Sequence, residues 1–95
     1  MDPNRRTKMS IIAEILEIAR RGVSRNQIMS KVNLNSRQMW QYLRFVCQND
    51  LLSQKKEKVE YETTDTGFRF LKHYYKTIEL LHVENTEDPK RAPKV

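Results

Sequence analysis

The chain has 95 residues, one Cys, two Gly and 18 Lys and Arg against 12 Asp and Glu, a formal net charge of +6. That length gives one domain with a thin core, and the lone Cys47 excludes an intramolecular disulfide or a multi-cysteine zinc site. The apolar runs are too short to span a membrane and no charged-then-apolar leader opens the chain, so a reducing, cytoplasmic setting is expected.

Charge is unevenly placed. Residues 1–58 carry +7 and residues 59–95 carry −1. The stretch from Ile18 to Asn49 has no acidic residue but holds Arg20, Arg21, Arg25, Lys31, Arg37 and Arg44. Such a front half suits a polyanion and leaves the rest for another task.

After a polar start, Ile12, Ile15, Leu16 and Ala19 fall at the i, i+3, i+4, i+7 spacing of a helix. Thr7 is a candidate cap, and Gly22 after Arg20 and Arg21 marks the end. Arg5, Arg6 and Lys8 are candidates for a basic arm ahead of this helix.

Ser24 then reads as an N-cap with Gln27 as its capping-box partner, and Val23 and Ile28 as a hydrophobic staple. The same grammar recurs at Leu34, Asn35, Gln38 and Met39, leaving about two turns of helix between the two starts. Two capped starts this close predict a helix-turn-helix. Its second helix should run from about Ser36 to Gln48, with Met39, Tyr42, Leu43, Val46 and Cys47 inward and Arg37, Gln41, Arg44 and Gln48 outward.

Past Asn49 and Asp50, Leu51 and Leu52 open a strand and Val59 to Thr63 alternate as its return, around a charged tip at Lys55 to Lys58. A hairpin after three helices is the wing of a winged helix. Thr64 or Asp65 caps a last helix ending near Glu84, and residues 85–95 read as a flexible tail. Along that helix Leu71, Tyr74, Ile78 and Leu81 follow a 3-4-3 spacing, widened by Phe68, Tyr75 and His82. Such a rod outside a small domain predicts pairing with a second copy through these residues, with folding back on the first helix as the alternative.

Three stretches, Ile12 to Ala19, NLNSRQMWQYLRFVCQNDLL and YETTDTGFRFL, carry a resemblance over roughly residues 7–84. The chain resembles the small archaeal winged helix-turn-helix proteins. The resemblance implies a mainly helical fold with a small β-hairpin, a DNA-binding domain over 7–64, and a dimerisation helix over 65–84 that pairs as an antiparallel coiled coil. The chain departs from the pattern at Thr63, where an apolar strand residue is more usual and the wing is expected to be less firmly held. It departs again at Asn85, which leaves only about two heptads.

The expected DNA-binding set is Arg25, Ser36, Arg37, Trp40, Gln41, Arg44, Lys55, Lys56 and Lys58. Arg suits guanine edges, Gln suits adenine, and Ser36 and the tip lysines suit phosphates. Trp40 lies beside the polar stripe, so it either stacks on the nucleic acid or packs against the wing or a partner subunit. The sequence assembles no nucleophile and base, no phosphate loop and no metal cluster, and His73 and His82 stand nine residues apart. The expectation is a homodimeric, nucleoid-associated DNA-binding protein without cofactor, small-molecule ligand or enzymatic activity, regulating transcription or organising chromatin. A winged-helix module for protein–protein contacts in a transcription-related assembly is the alternative, and RNA binding a lesser one.

Overall fold

The computed structural model describes residues 6–86, with side chains through residue 81. The elements in order are helix α1 (Lys8–Ile18), a 3-10 turn at Ala19–Arg21, α2 (Arg25–Val32), α3 (Ser36–Gln48), strands β1 (Leu52–Lys55) and β2 (Glu60–Thr63), and α4 (Asp65–Thr86). The expected basic arm residue Arg5 and the tail beyond Thr86 lie outside the described residues. Helix α4 runs two residues past the expected end.

Local chemistry sets the first three helix starts. Thr7, Ser24 and Asn35 each accept a hydrogen bond from the backbone N–H three residues on, and the side chains of Ser10, Gln27 and Gln38 accept one back from the cap N–H. Each cap contributes about 1 kcal/mol. The ends of α2 and α3 share another device. Asn33 and Asp50 take left-handed backbone angles, and the N–H of the following Leu34 or Leu51 bonds the carbonyl of Met29 or Val46. Both leucines are buried, so each helix stops by turning a leucine into the core.

Helix α1 lies at the centre. Its Ile11, Ile12, Ile15 and Leu16, with Ala19 of the 3-10 turn, form one core with Ile28 and Val32 of α2, Met39, Leu43 and Val46 of α3, and Leu52, Tyr61 and Leu71 beyond them. Strands β1 and β2 pair antiparallel, with Leu52 opposite Thr63 and Lys55 opposite Glu60. A third backbone segment joins them: Val23 and Tyr61 exchange both N–H to carbonyl bonds, at 2.9 and 2.7 Å. Gly22 allows this approach with a φ of 97°. Val23 thus has a backbone role beyond the hydrophobic staple expected of its side chain.

Several expectations change. Val59 is in the turn, not the return strand, with a φ of 52°. Cys47 is exposed rather than buried, because it falls at the edge of the core face of α3. Thr63 does not loosen the wing. It is buried, and its hydroxyl donates to the Leu16 carbonyl at 2.6 Å, tying β2 to α1. Arg6 is no free arm: it pairs with Glu14 at 3.0 Å and donates to the Val32 carbonyl at 2.7 Å, closing the C-terminus of α2.

The start of α4 is built into the domain. Thr64 is its cap, accepting from Gly67 N–H at 2.9 Å while its hydroxyl donates to the Asp50 carbonyl at 2.6 Å. Gly67 is there for space: a Cβ would run into the Leu51 carbonyl oxygen and sit 2.6 Å from a Thr63 methyl. Leu71, expected on a dimer stripe, is 2% exposed and belongs to the protomer's own core, because α4 packs on α1. Tyr74 is half-buried against the same core. Further along, Tyr75 donates to a Glu17 carboxylate, Arg20 pairs with Glu17 at 2.7 Å, and the Arg20 guanidinium lies 5.3 Å from the Phe68 ring centre.

Two substitutions test the base of α4. Thr63→Val should cost about 1–2 kcal/mol by orphaning a hydrogen bond, and Gly67→Ala about 2–3 kcal/mol by forcing backbone apart, both read from urea midpoints. The α1–α4 contact predicts a pH dependence. Arg20 and then Tyr75 hold the Glu17 carboxyl below its ordinary value, while burial and then Glu17 push the Tyr75 phenol up to about 12. The Glu17 contribution is present above the ordinary carboxylate range and is lost as acid titrates it. The Tyr75 contribution is full below the ordinary phenol value of about 10 and is lost as pH rises towards 12. Tyr75→Phe should therefore flatten the alkaline fall in stability measured by thermal melts.

Candidate nucleic-acid interface

The roll of α3 is fixed by three buried side chains, Met39, Leu43 and Val46, all on one side. At 100° per residue the opposite side is Arg37, Gln41, Arg44 and Gln48, and all four are exposed. The Asn35 capping box fixes where the helix begins, which puts Ser36 in its first turn, also exposed. The stripe therefore carries two guanidinium groups and two amides, with the Ser36 hydroxyl at the helix start beside it.

Trp40 stands on the shoulder of α3 nearest α2 and the wing. It is 54% exposed, and the Arg25 guanidinium lies 4.8 Å from its ring centre. Such a cation–π contact contributes about 0.5–1 kcal/mol at an exposed site. It holds both groups at the edge of the Arg37–Arg44 surface. Below them a groove runs between α3 and the hairpin, lined by Trp40, Leu43, Arg44, Cys47, Gln54 and Tyr61. Partial loss of solvent around the Cys47 thiol and burial of the Tyr61 phenol push both up, so both stay protonated at neutral pH. Trp40 is thus neither a core residue nor covered by the wing.

The other shoulder is different. Lys8, Ile12, Gln41, Tyr42 and Phe45 line a shallow groove between the start of α1 and α3, with Phe45 exposed. Phe45, Gln54 and Tyr61 lie outside the set expected from the sequence. Phe45 is legible on a helical wheel, one step outside the inward set. Gln54 and Tyr61 join only once strand register is known.

Ion pairing divides the basic residues. Arg6, Arg20 and Lys55 are spent within the fold on Glu14, Glu17 and Glu62, the last at 2.6 Å. Glu62 in turn raises the Lys55 ammonium. Among the described residues, Arg21, Arg25, Lys31, Arg37, Arg44, Lys56 and Lys58 have no ion pair. Of the expected nucleic-acid residues, Arg25, Ser36, Arg37, Trp40, Gln41 and Arg44 come together on α2 and α3. Lys56 and Lys58 stand apart at the wing turn, and Lys55 is committed to Glu62. Among the described residues no three His, Cys, Asp or Glu side chains gather as a metal site, and no helix is long and apolar enough to cross a membrane.

A family model described as winged helix-turn-helix matches residues 5–82. The fold is similar to the crystal structure of Sso10a-2, a DNA-binding protein from Sulfolobus solfataricus. The TM-score is 0.73 and the identity 20%, over 95% of this chain and 100% of that one. Among curated proteins none matches.

Proposed function

The chain belongs to the winged helix-turn-helix family, and on that premise we propose that it binds double-stranded DNA as a homodimer. The observation that carries this reading is the outward stripe of α3, where Arg37, Gln41 and Arg44 stand free of acidic partners among the described residues. A helix of this diameter fits the major groove, where Arg takes guanine edges or phosphates and Gln takes adenine. Ser36 and its backbone N–H reach a phosphate at the helix start. The Arg25–Trp40 pair lies against the groove wall, with the indole on sugar and the guanidinium on phosphate. Lys56 and Lys58 reach the neighbouring backbone; Lys55 contributes less while it holds Glu62. The likeness to a protein described as DNA-binding supports the same reading.

Pairing of two copies rests on the outer part of α4. Ile78 is 41% and Leu81 48% exposed, and they continue a groove with Met9, Phe70 and Tyr74 that the protomer leaves uncovered. With Leu71 inside the protomer, the proposed interface is Ile78 and Leu81 flanked by Phe70 and Tyr74, while Phe68 and Tyr75 border it. A dimer presents two recognition helices, which suits a transcriptional regulator or an architectural protein of the nucleoid.

Titration of a random duplex at several salt concentrations tests the DNA reading. Arg37→Ala with Arg44→Ala should weaken binding at least tenfold and lower the log–log salt slope by about 1.8, near 0.9 for each phosphate no longer neutralised. A parent protein without duplex affinity even at low salt rejects the proposal in favour of a protein-interaction module. Sedimentation tests the dimer: Ile78→Glu with Leu81→Glu should give a folded monomer, and a monomeric parent at tens of micromolar would refute pairing.

A further inference from the structure

Four described residues take positive φ. They are Gly22, Asn33, Asp50 and Val59. Glycine pays no steric cost there, and Asn and Asp tolerate the left-handed region through short polar side chains. Val59 is the exception. A β-branched side chain at a φ of 52° is conformationally costly.

The fold gives no return on that cost. Val59 is 65% exposed and lies outside the core cluster. The turn from Lys56 to Val59 needs a left-handed last residue to bring Glu60 back opposite Lys55, and the Lys58 N–H closes it on the Lys55 carbonyl at 3.2 Å. Asn or Gly would serve that geometry better. The chain uses Asn or Asp at its two other such non-glycine positions, Asn33 and Asp50.

We propose that Val59 is an apolar wedge that enters the minor groove of the bound duplex from the wing tip, a contact that rests on the duplex-binding reading above. Its surroundings fit. Lys56 and Lys58 precede it in the same turn without ion pairs among the described residues, within reach of the phosphates beside the groove, and Glu60 follows it. Glu57 shares the turn, which lowers its charge to +1 and makes it a weak anchor by electrostatics alone. A branched methyl pair pressed on sugars and base edges supplies what charge does not, and apolar side chains in the minor groove unstack flexible steps such as TA.

The test uses the full chain, Val59→Asn, and a duplex with 2-aminopurine beside a TA step. Val59→Asn should melt about 5 °C higher, since the strain is relieved, yet bind the duplex about fivefold more weakly. Its salt slope should match the parent's, because no charge has changed, whereas Lys56→Ala with Lys58→Ala should lower the slope by about 1.8. The parent should raise 2-aminopurine fluorescence by unstacking it, and Val59→Asn should not. Parent-like affinity and fluorescence response in Val59→Asn overturn the wedge while leaving duplex binding standing. Absence of duplex binding by the parent rejects the DNA reading itself.

Discussion

The arrangement of this domain depends on how closely one carbonyl can be approached. The Leu51 oxygen, just past the end of α3, accepts from the Thr64 N–H at 3.1 Å and leaves no room for a Cβ on Gly67. Around that point Thr64 grips Asp50, and Thr63 grips Leu16 of α1. The end of α3, the return strand of the wing, the last turn of α1 and the first turn of α4 are thereby joined within a few residues. In a chain with so thin a core, these bonds do what more buried apolar area does in a larger domain. Among the described residues no buried side-chain polar atom lacks a partner.

The same junction organises the outer surface. With α3 held at both ends, by the Asn35 box and by Leu51, its roll is set and its outward stripe has a fixed direction. Three acidic residues of the domain are consumed: Glu14 by Arg6, Glu17 by Arg20 and Tyr75, and Glu62 by Lys55. What remains on α2 and α3 is cationic, and the wing turn keeps Lys56 and Lys58 around Glu57. Folding thus sharpens a charge asymmetry that the linear chain shows only as a gap between Glu17 and Asp50.

Local signals were legible in the sequence, and contacts across the chain were not. The boxes at Ser24 and Asn35 span three residues, so composition alone reveals them and with them α2, α3 and the outward set Arg37, Gln41 and Arg44. Thr63 to Leu16 spans 47 residues, Arg6 to Val32 spans 26 and Tyr75 to Glu17 spans 58. No periodicity announces such pairs, which is why Thr63 read as a weakness and Arg6 as a loose arm. Leu71 was misplaced for a related reason: its spacing with Tyr74 and Ile78 is right for an interface, but spacing does not say whether the facing helix is α1 or a second copy. Val59 misled because alternation continues through it, while the turn needs one more residue than the alternation allows.

The hold of α1 on α4 carries a mechanical consequence. From Leu71, where α4 is anchored, to Thr86 is about 22 Å of helix at 1.5 Å per residue. A helix clamped at one end acts as a lever. A tilt of about 10° at the anchor carries the far end through about 4 Å, roughly one base-pair step of 3.4 Å. The small contacts among Glu17, Arg20, Phe68 and Tyr75 are therefore amplified along the rod. Loosening them leaves the α3 surface intact but blurs the distance at which anything fixed to the far end of α4 is held.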